Sequence, residues 1–577
     1  MQNNYERSYE PTGNMAEFPR ASLSFQSDSD YELSISEYPW LAKGPYGHYC
    51  YDLFYDRSQS SSTTAIDIER GDAGFHDGES LATESRDTSL GDDAGRPSVL
   101  VRSLSAKSVE DPNLVTWSGP HDPANPLNWS YSRKWVATVL VSCFTFISPV
   151  SSTMVAPALP ELARQFNVSS SVEQMFLMSI FLLAYAVGPF VLGPLSEIFG
   201  RVVVLQSANM FYLVFNTACG FARTKEEMLA FRFLSGLGGS APQALGGGVL
   251  SDCWRAEERG KAVAIYSLAP FLGPAVGPIA GGYIAQYTTW RWIFWSVSIA
   301  DAVVQLLAFL FLQETYAPKI LAVKAKKLRQ ETGNDALHTK WQSPDHSFGQ
   351  ILRKNLVRPF IMLGTQPVIQ ALAIYRAYQY GIMYLVLASF PMIWESVYKQ
   401  NVATASLNYI SLGIGFVIGL QICGPLMDRI YCALKKQRNE PGRPEFRVPL
   451  MLPGGLLVPI GFLIYGWSAH FATHWIVPNI GAVIFCIGLI ISFQCAQAYM
   501  VDAYTRYAAS ATGAAAFVRT MAGFSFPLFA PKLYESLGLG WGNSLLAFVS
   551  LGLGIVAPVL LWKYGQWLRS RSTYCAG

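Results

Sequence analysis

Residues 271–282 read FLGPAVGPIAGG. The string is apolar enough for a bilayer, yet its glycines and prolines would break a helix in water. Gly273, Gly277 and Gly281 recur every four residues and so share one helix face. Pro274, Pro278 and Gly282 occupy the adjacent strip. A face without side chains lets a neighbouring helix approach to backbone contact, which is how helices associate in lipid. Carbonyls freed behind each proline are tolerable there only where neighbours or a water-filled cavity satisfy them. Two readings follow: a packing seam between fixed helices, or a bendable helix at the interface of two moving bundles.

Working outward, the 577-residue chain is 51% hydrophobic and 14% charged, too apolar for an ordinary soluble protein. Its net charge of +3 hides a division: residues 1–110 hold nineteen acidic and nine basic residues, a balance of −10, which leaves +13 for the remainder. An acidic tail ahead of a membrane domain with basic loops fits that asymmetry. The nine cysteines include no CxxC, so neither a disulfide framework nor a metal site is indicated. Residues 1–130, rich in Ser, Asp, Glu, Gly and Tyr, are expected to be a disordered cytoplasmic tail. At its end, Asn125, Pro126, Asn128 and Trp129 precede the basic pair Arg133–Lys134, a turn and anchor at a membrane surface.

Twelve apolar segments follow, near 135–156, 173–193, 203–221, 228–250, 261–282, 291–312, 370–393, 405–426, 448–468, 475–497, 511–531 and 543–563. Each is long enough to cross ~30 Å of hydrocarbon. With the N-terminus inside, the inner connections carry twenty-five Lys/Arg and the outer ones six. The positive-inside rule therefore places both termini in the cytoplasm. The polar, basic connection at 313–369 separates bundles at 131–312 and 370–563, and residues 564–577 form a cytoplasmic tail. Two six-helix halves are the layout of a secondary transporter. On this topology the sequon at Asn167 faces outward as a candidate glycosylation site.

Between spans 2 and 3 stands GPLSEIFGR, with Gly193, Glu197, Gly200 and Arg201; between spans 8 and 9 stands GPLMDR, with Asp428 and Arg429. The same string at matching positions of both halves indicates an internal repeat. These charges are candidates for a cytoplasmic gate, with a fixed topological anchor as the alternative for Arg201; Arg519 in span 11 either pairs with Glu197 or approaches the cytoplasmic headgroups.

The chain resembles the major facilitator superfamily, and within it the fungal twelve-span drug:proton antiporters. Residues 193–201 resemble that family's loop 2–3 signature, with Glu197 in place of the commoner Asp. Arg232 in FRFLSGLG resembles the span-4 arginine motif, and residues 273–282 resemble the span-5 motif associated with antiporters. SDCWRAEERG at 251–260, NPLNW at 125–129 and VDAY at 501–504 are also similar to fungal members. The resemblance covers about residues 120–565. It implies an all-α polytopic membrane protein of the major facilitator fold, with twelve transmembrane helices in two pseudo-symmetric six-helix bundles. It further implies a proton-coupled exporter of hydrophobic molecules (drugs, azoles, fungal secondary metabolites or toxins) in the plasma membrane.

Individual residues bear on the chemistry. An arginine inside an apolar span, here Arg232, is costly unless it is paired or faces water. It does not titrate, so it acts on a proton carrier rather than carrying the proton. Asp301, the acid well inside the N-terminal bundle, suits reversible protonation. The alternatives are a structural pair between Arg232 and backbone carbonyls and a hydrogen-bonded structural Asp301. Gln243, Tyr378, Gln379, Tyr380, Tyr384, Gln494, Gln497 and Phe526 supply rings and amides suited to a cavity for flat apolar or cationic molecules. Expected partners are protons, a small-molecule substrate and the bilayer. No cofactor, metal or nucleic acid is expected, and the chain is read as a monomer driven by the proton gradient. A nutrient or polyamine transporter, or a membrane sensor on a transporter scaffold, remains the alternative. No nucleophile–base–metal set or nucleotide loop supports an enzyme.

Overall fold

The computed structural model describes residues 111–255, 258–341, 348–440, 442–572 and 574–575, with backbone alone for 348–355 and Arg506. The remainder of the expected N-terminal tail, residues 1–110, lies outside these. The described residues are almost wholly helical, with one isolated bridge, Leu114 to His338.

The first half comprises α1 (Tyr131–Thr153), α2 (Leu159–Gln165), α3 (Ser171–Phe199), α4 (Arg201–Cys219), α5 (Lys225–Gly239), α6 (Ala241–Cys253), α7 (Arg259–Tyr287) and α8 (Arg291–Phe311). Two helices cross the connection, α9 (Ala317–Thr332) and α10 (Phe348–Thr365). The second half comprises α11 (Pro367–Ser396), α12 (Val402–Leu407), α13 (Tyr409–Arg438), α14 (Met451–His470), α15 (Ile476–Ala503) and α16 (Ala508–Ser570).

Among the described residues, nine helices are long and apolar enough to cross a membrane, or ten with the bent pair of α10 and α11. The count reaches the expected twelve for two local reasons. Gly538, at φ +69°, bends the 63-residue α16 into two spans. The fourth span is broken at Ser240 into α5 and α6, each too short to cross alone.

Composition misjudged the stretch just before α1. Residues 111–129, assigned to the disordered tail, are folded: Val115 N–H donates to the His338 carbonyl at 2.7 Å. The Asp122 carboxylate accepts from the Ser118 and Ala124 N–H groups at 2.8 and 2.9 Å. Lys324 of α9 reaches the same carboxylate at 3.4 Å. One acid thus ties the chain's entry to the inter-half connection.

The glycine file of α7 packs inside its own half. A side chain at Gly277 would stand 2.8 Å from the Val150 carbonyl of α1, and one at Gly273 would stand 2.9 Å from Pro149. At Gly281 it would collide with the Met154 carbonyl. The glycine file is therefore a packing seam of α7 against α1, the first of the two readings. The adjacent strip meets the other half: Gly282 lies against Ser406 of α12, and Ala275 stands 3.2 Å from the β-position of Gly413 on α13. Pro274 and Pro278 are buried within a continuous helix.

Candidate functional site

The face that carries Arg201, Arg255 and Lys319 is called here the basic face. On it α3 ends at Gly200, whose φ of +102° joins two helices without an intervening loop. Glu314, just past α8, caps the next helix by accepting from Arg201 N–H at 2.9 Å and Val202 N–H at 3.2 Å. The Arg201 guanidinium donates to Asp252 at 2.9 Å and lies 4.9 Å over the Tyr316 ring. The second half repeats the device with different partners: Arg447 bonds Asp428 at 2.8 Å and Asp502 at 3.0 Å.

The expected gate charges thus divide into two clusters, one in each half. Arg447, not the exposed Arg429, serves Asp428. Glu197 is exposed, and Gly193 has open space at its β-position. Arg519 donates to Gln243. Asp252 and Asp502 stand inside the quoted SDCW and VDAY strings. Glu314 and Arg447 had no sequence signal beyond lying at span ends.

Arg232 is fully buried. It donates to the carbonyls of Ser151 (3.0 Å), Ser152 (3.4 Å) and Met178 (3.1 Å) and faces the rings of Phe181 and Phe294. It therefore clamps α1 to α3 through backbone oxygens, and no carboxylate pairs with it among the described residues. Asp301 is held elsewhere in the same half: Asn209 of α4 donates to both its oxygens, at 3.2 and 3.0 Å, and also reaches Gln305. The expected coupling pair is not an ion pair. Tyr212 lies within electrostatic reach of both groups.

Between the halves the side chains converge. Arg519 of α16 donates to Gln243 of α6 at 3.1 Å and lies 4.7 Å over the Tyr380 ring. Phe493 of α15 is 5.8 Å from Phe271 of α7 and carries the Arg376 guanidinium of α11 at 4.2 Å on its face. Gln243, Arg376, Phe493 and Arg519 each stand nine to eleven residues from the basic-face end of their helices. At 1.5 Å per residue that is roughly 15 Å deep, near the middle of a bilayer. Tyr384 packs at a tilt against Tyr380, with ring centroids 4.9 Å apart, and bonds Ser152 across the halves at 3.1 Å.

Of the expected cavity residues, Gln243, Tyr380 and Tyr384 join this cluster. Gln379 is buried beside it, with its side-chain oxygen unpaired. Tyr378 and Phe526 do not join: Tyr378 donates to the Leu546 carbonyl at 2.6 Å and packs on Phe526 within the second half. Gln494 and Gln497 are half-buried on α15. Arg376 was not anticipated as a site residue, although a charge inside an apolar span was itself the signal. Of the two expected kinds of occupant, flat apolar or cationic molecules, two guanidiniums in the cluster are at odds with the cationic one.

Towards the opposite face the halves are in contact. Gln286 of α7 accepts from the Ala403 N–H of α12 at 2.7 Å, next to the Gly282–Ser406 approach. Asn167, exposed at φ +52°, lies in the turn after α2.

Comparison with known proteins agrees with this architecture. The family model described as Major Facilitator Superfamily matches residues 141–527. The chain is 49% identical over 467 residues to the efflux pump vrtL of Penicillium aethiopicum, covering 81% of this chain and 92% of the relative. It is 45% identical to the uncharacterized transporter C1529.01 of Schizosaccharomyces pombe, covering 83% and 97%. Among solved structures, the proton:xylose symporter XylE bound to 6-bromo-6-deoxy-D-glucose is similar in fold, with a TM-score of 0.57 at 16% identity, covering 76% of this chain and 96% of that one. The chain belongs to the major facilitator superfamily, as a multi-pass membrane transporter of its fungal efflux-pump family.

Proposed function

We propose that this protein exports hydrophobic small molecules by alternating access, driven by protons entering from outside. The observation that carries the reading is the cluster of Gln243, Arg519, Tyr380, Phe271 and Phe493, contributed by both halves at mid-depth. The apposed Gly282 and Ser406 lie between that cluster and the opposite face. A relative at 49% identity is named an efflux pump. Substrate binds where both halves touch it, and rocking of the halves exposes it to one side at a time.

Proton coupling is assigned to Asp301, with Tyr212 between it and Arg232. The protein acts without a resident cofactor, catalyses no chemical conversion, and works as a monomer in the plasma membrane with both termini cytoplasmic. The gradient supplies the energy.

The test is efflux of the neutral dye Nile red from energised yeast expressing the chain. Efflux abolished by a protonophore, and reduced to the empty-vector level by Asp301→Asn at normal surface expression, is the expected result. Efflux indifferent to the protonophore overturns the proton coupling. Dye retention equal to empty-vector cells overturns export of generic hydrophobic compounds.

A further inference from the structure

Two arginines at the centre of a membrane transporter call for an anion. Arg376 is 3% exposed, and its Nε and Nη1 have no hydrogen-bond partner. The Nε of Arg519 is unpartnered as well. Among the described residues neither guanidinium pairs with a carboxylate, and the charge that acts on Arg376 is that of Arg519. The other three arginines described above have their charge answered by oxygens: Arg232 by three carbonyls, with its Nε alone left over, Arg201 by Asp252, and Arg447 by two carboxylates. Leaving two neighbouring like charges unneutralised at mid-membrane depth is costly, so this pair, with two open nitrogens on Arg376 and one on Arg519, marks a place for a ligand.

The surroundings define that ligand. Phe493 lies between the two guanidiniums, 4.2 Å from Arg376 and 5.6 Å from Arg519. Phe271, Tyr380 and Tyr384 add further rings, and Gln243 adds an amide already turned to Arg519. Arginine forks match carboxylates and other delocalised oxyanions in plane, while rings hold flat apolar bodies.

We propose that Arg376 and Arg519 form an anion-binding subsite, and that the exported molecules include aromatic organic acids, carrying a carboxylate or a phenolate. This rests on the exporter reading and narrows its substrate class. The guanidiniums engage the anionic group, and Phe493 and Phe271 hold the ring system. Cationic compounds are disfavoured at the same position by like charge.

Two dyes on one tricyclic skeleton separate the charge from the shape: fluorescein, an anion at neutral pH, and rhodamine 123, a cation. Binding to the purified full chain in detergent is followed by fluorescence anisotropy, and efflux from yeast by retained fluorescence. Fluorescein should bind more tightly than rhodamine 123. Arg376→Gln and Arg519→Gln should each weaken fluorescein about tenfold, the scale of one charge-assisted contact, and leave rhodamine 123 unchanged or tighter. Arg376→Lys should recover part of the loss. It also serves as the variant of record should Arg376→Gln fail to elute as a single species.

Equal affinity for the two dyes, or equal weakening of both in folded variants, overturns the anion subsite. Arginine-dependent binding of fluorescein without its efflux overturns the exporter reading and leaves the subsite standing. Protonophore-sensitive efflux of fluorescein that neither Arg376→Gln nor Arg519→Gln alters does the reverse.

Discussion

Arg232 and Arg376 are both arginines buried inside apolar spans, and their surroundings give them opposite roles. Arg232 spends its donors on the carbonyls of α1 and α3, so its fork is part of the scaffold. Lysine keeps the charge and loses the planar geometry that reaches three oxygens. Arg232→Lys should therefore destabilise the fold by about 2 kcal/mol, on the scale of buried acceptors left unpaired, read as a lower Tm in detergent. An unchanged Tm would contradict the scaffold role. Charge in a span always needs an explanation, yet from sequence only Arg232 was singled out for one. The sequence did not show which explanation, since carbonyls and open donors are matters of three-dimensional neighbourhood. Arg201 and Asp428 illustrate the same limit: their partners Asp252 and Arg447 lie 51 and 19 residues away.

At the scale of elements, residues 273–282 were legible as a close-packing surface because glycines four apart must share a face. Which helix they meet depends on how the bundle closes, and the answer is α1. A valine at Gly277 would push against the Val150 carbonyl 2.8 Å from its β-position, and backbone there has nowhere to move. Gly277→Val should sharply reduce the yield of folded protein on size-exclusion chromatography, while Gly193→Ala, in open space, should not. The entry segment was legible only in its last turn, 125–129; the rest, 111–124, is polar, and its order comes from capping and ion pairing rather than apolar periodicity. The Asp122 carboxyl is held below the usual carboxylate range, first by the Ser118 N–H, then by the Ala124 N–H, and by the Lys324 charge. A depressed folded-state pKa gives stability that is present above the ordinary carboxylate pKa and lost as pH falls through the folded value. Hydrogen exchange across residues 111–129 should accordingly quicken, beyond its intrinsic pH trend, only below about pH 4. Asp122→Asn should show faster exchange at neutral pH and lose that transition; identical profiles would contradict the docking.

For the whole molecule, two halves and twelve spans were legible from hydropathy, and the repeated GPL strings of α3 and α13 announced the symmetry. The site between the halves was only partly so: Gln243, Tyr380 and Tyr384 were expected, but Phe271, Phe493 and Arg376 come together only when α7, α11 and α15 are placed. Under alternating access the halves separate on the opposite face during each transport cycle. Gly282 and Ser406 lie against each other there, one on each half. The most direct measurement is dye efflux by the double variant Gly282→Cys, Ser406→Cys, before and after oxidation, with the cross-link scored on the same cells. Efflux should stop when the cross-link forms and return on reduction. Efflux that continues unchanged with the cross-link complete would contradict alternating access.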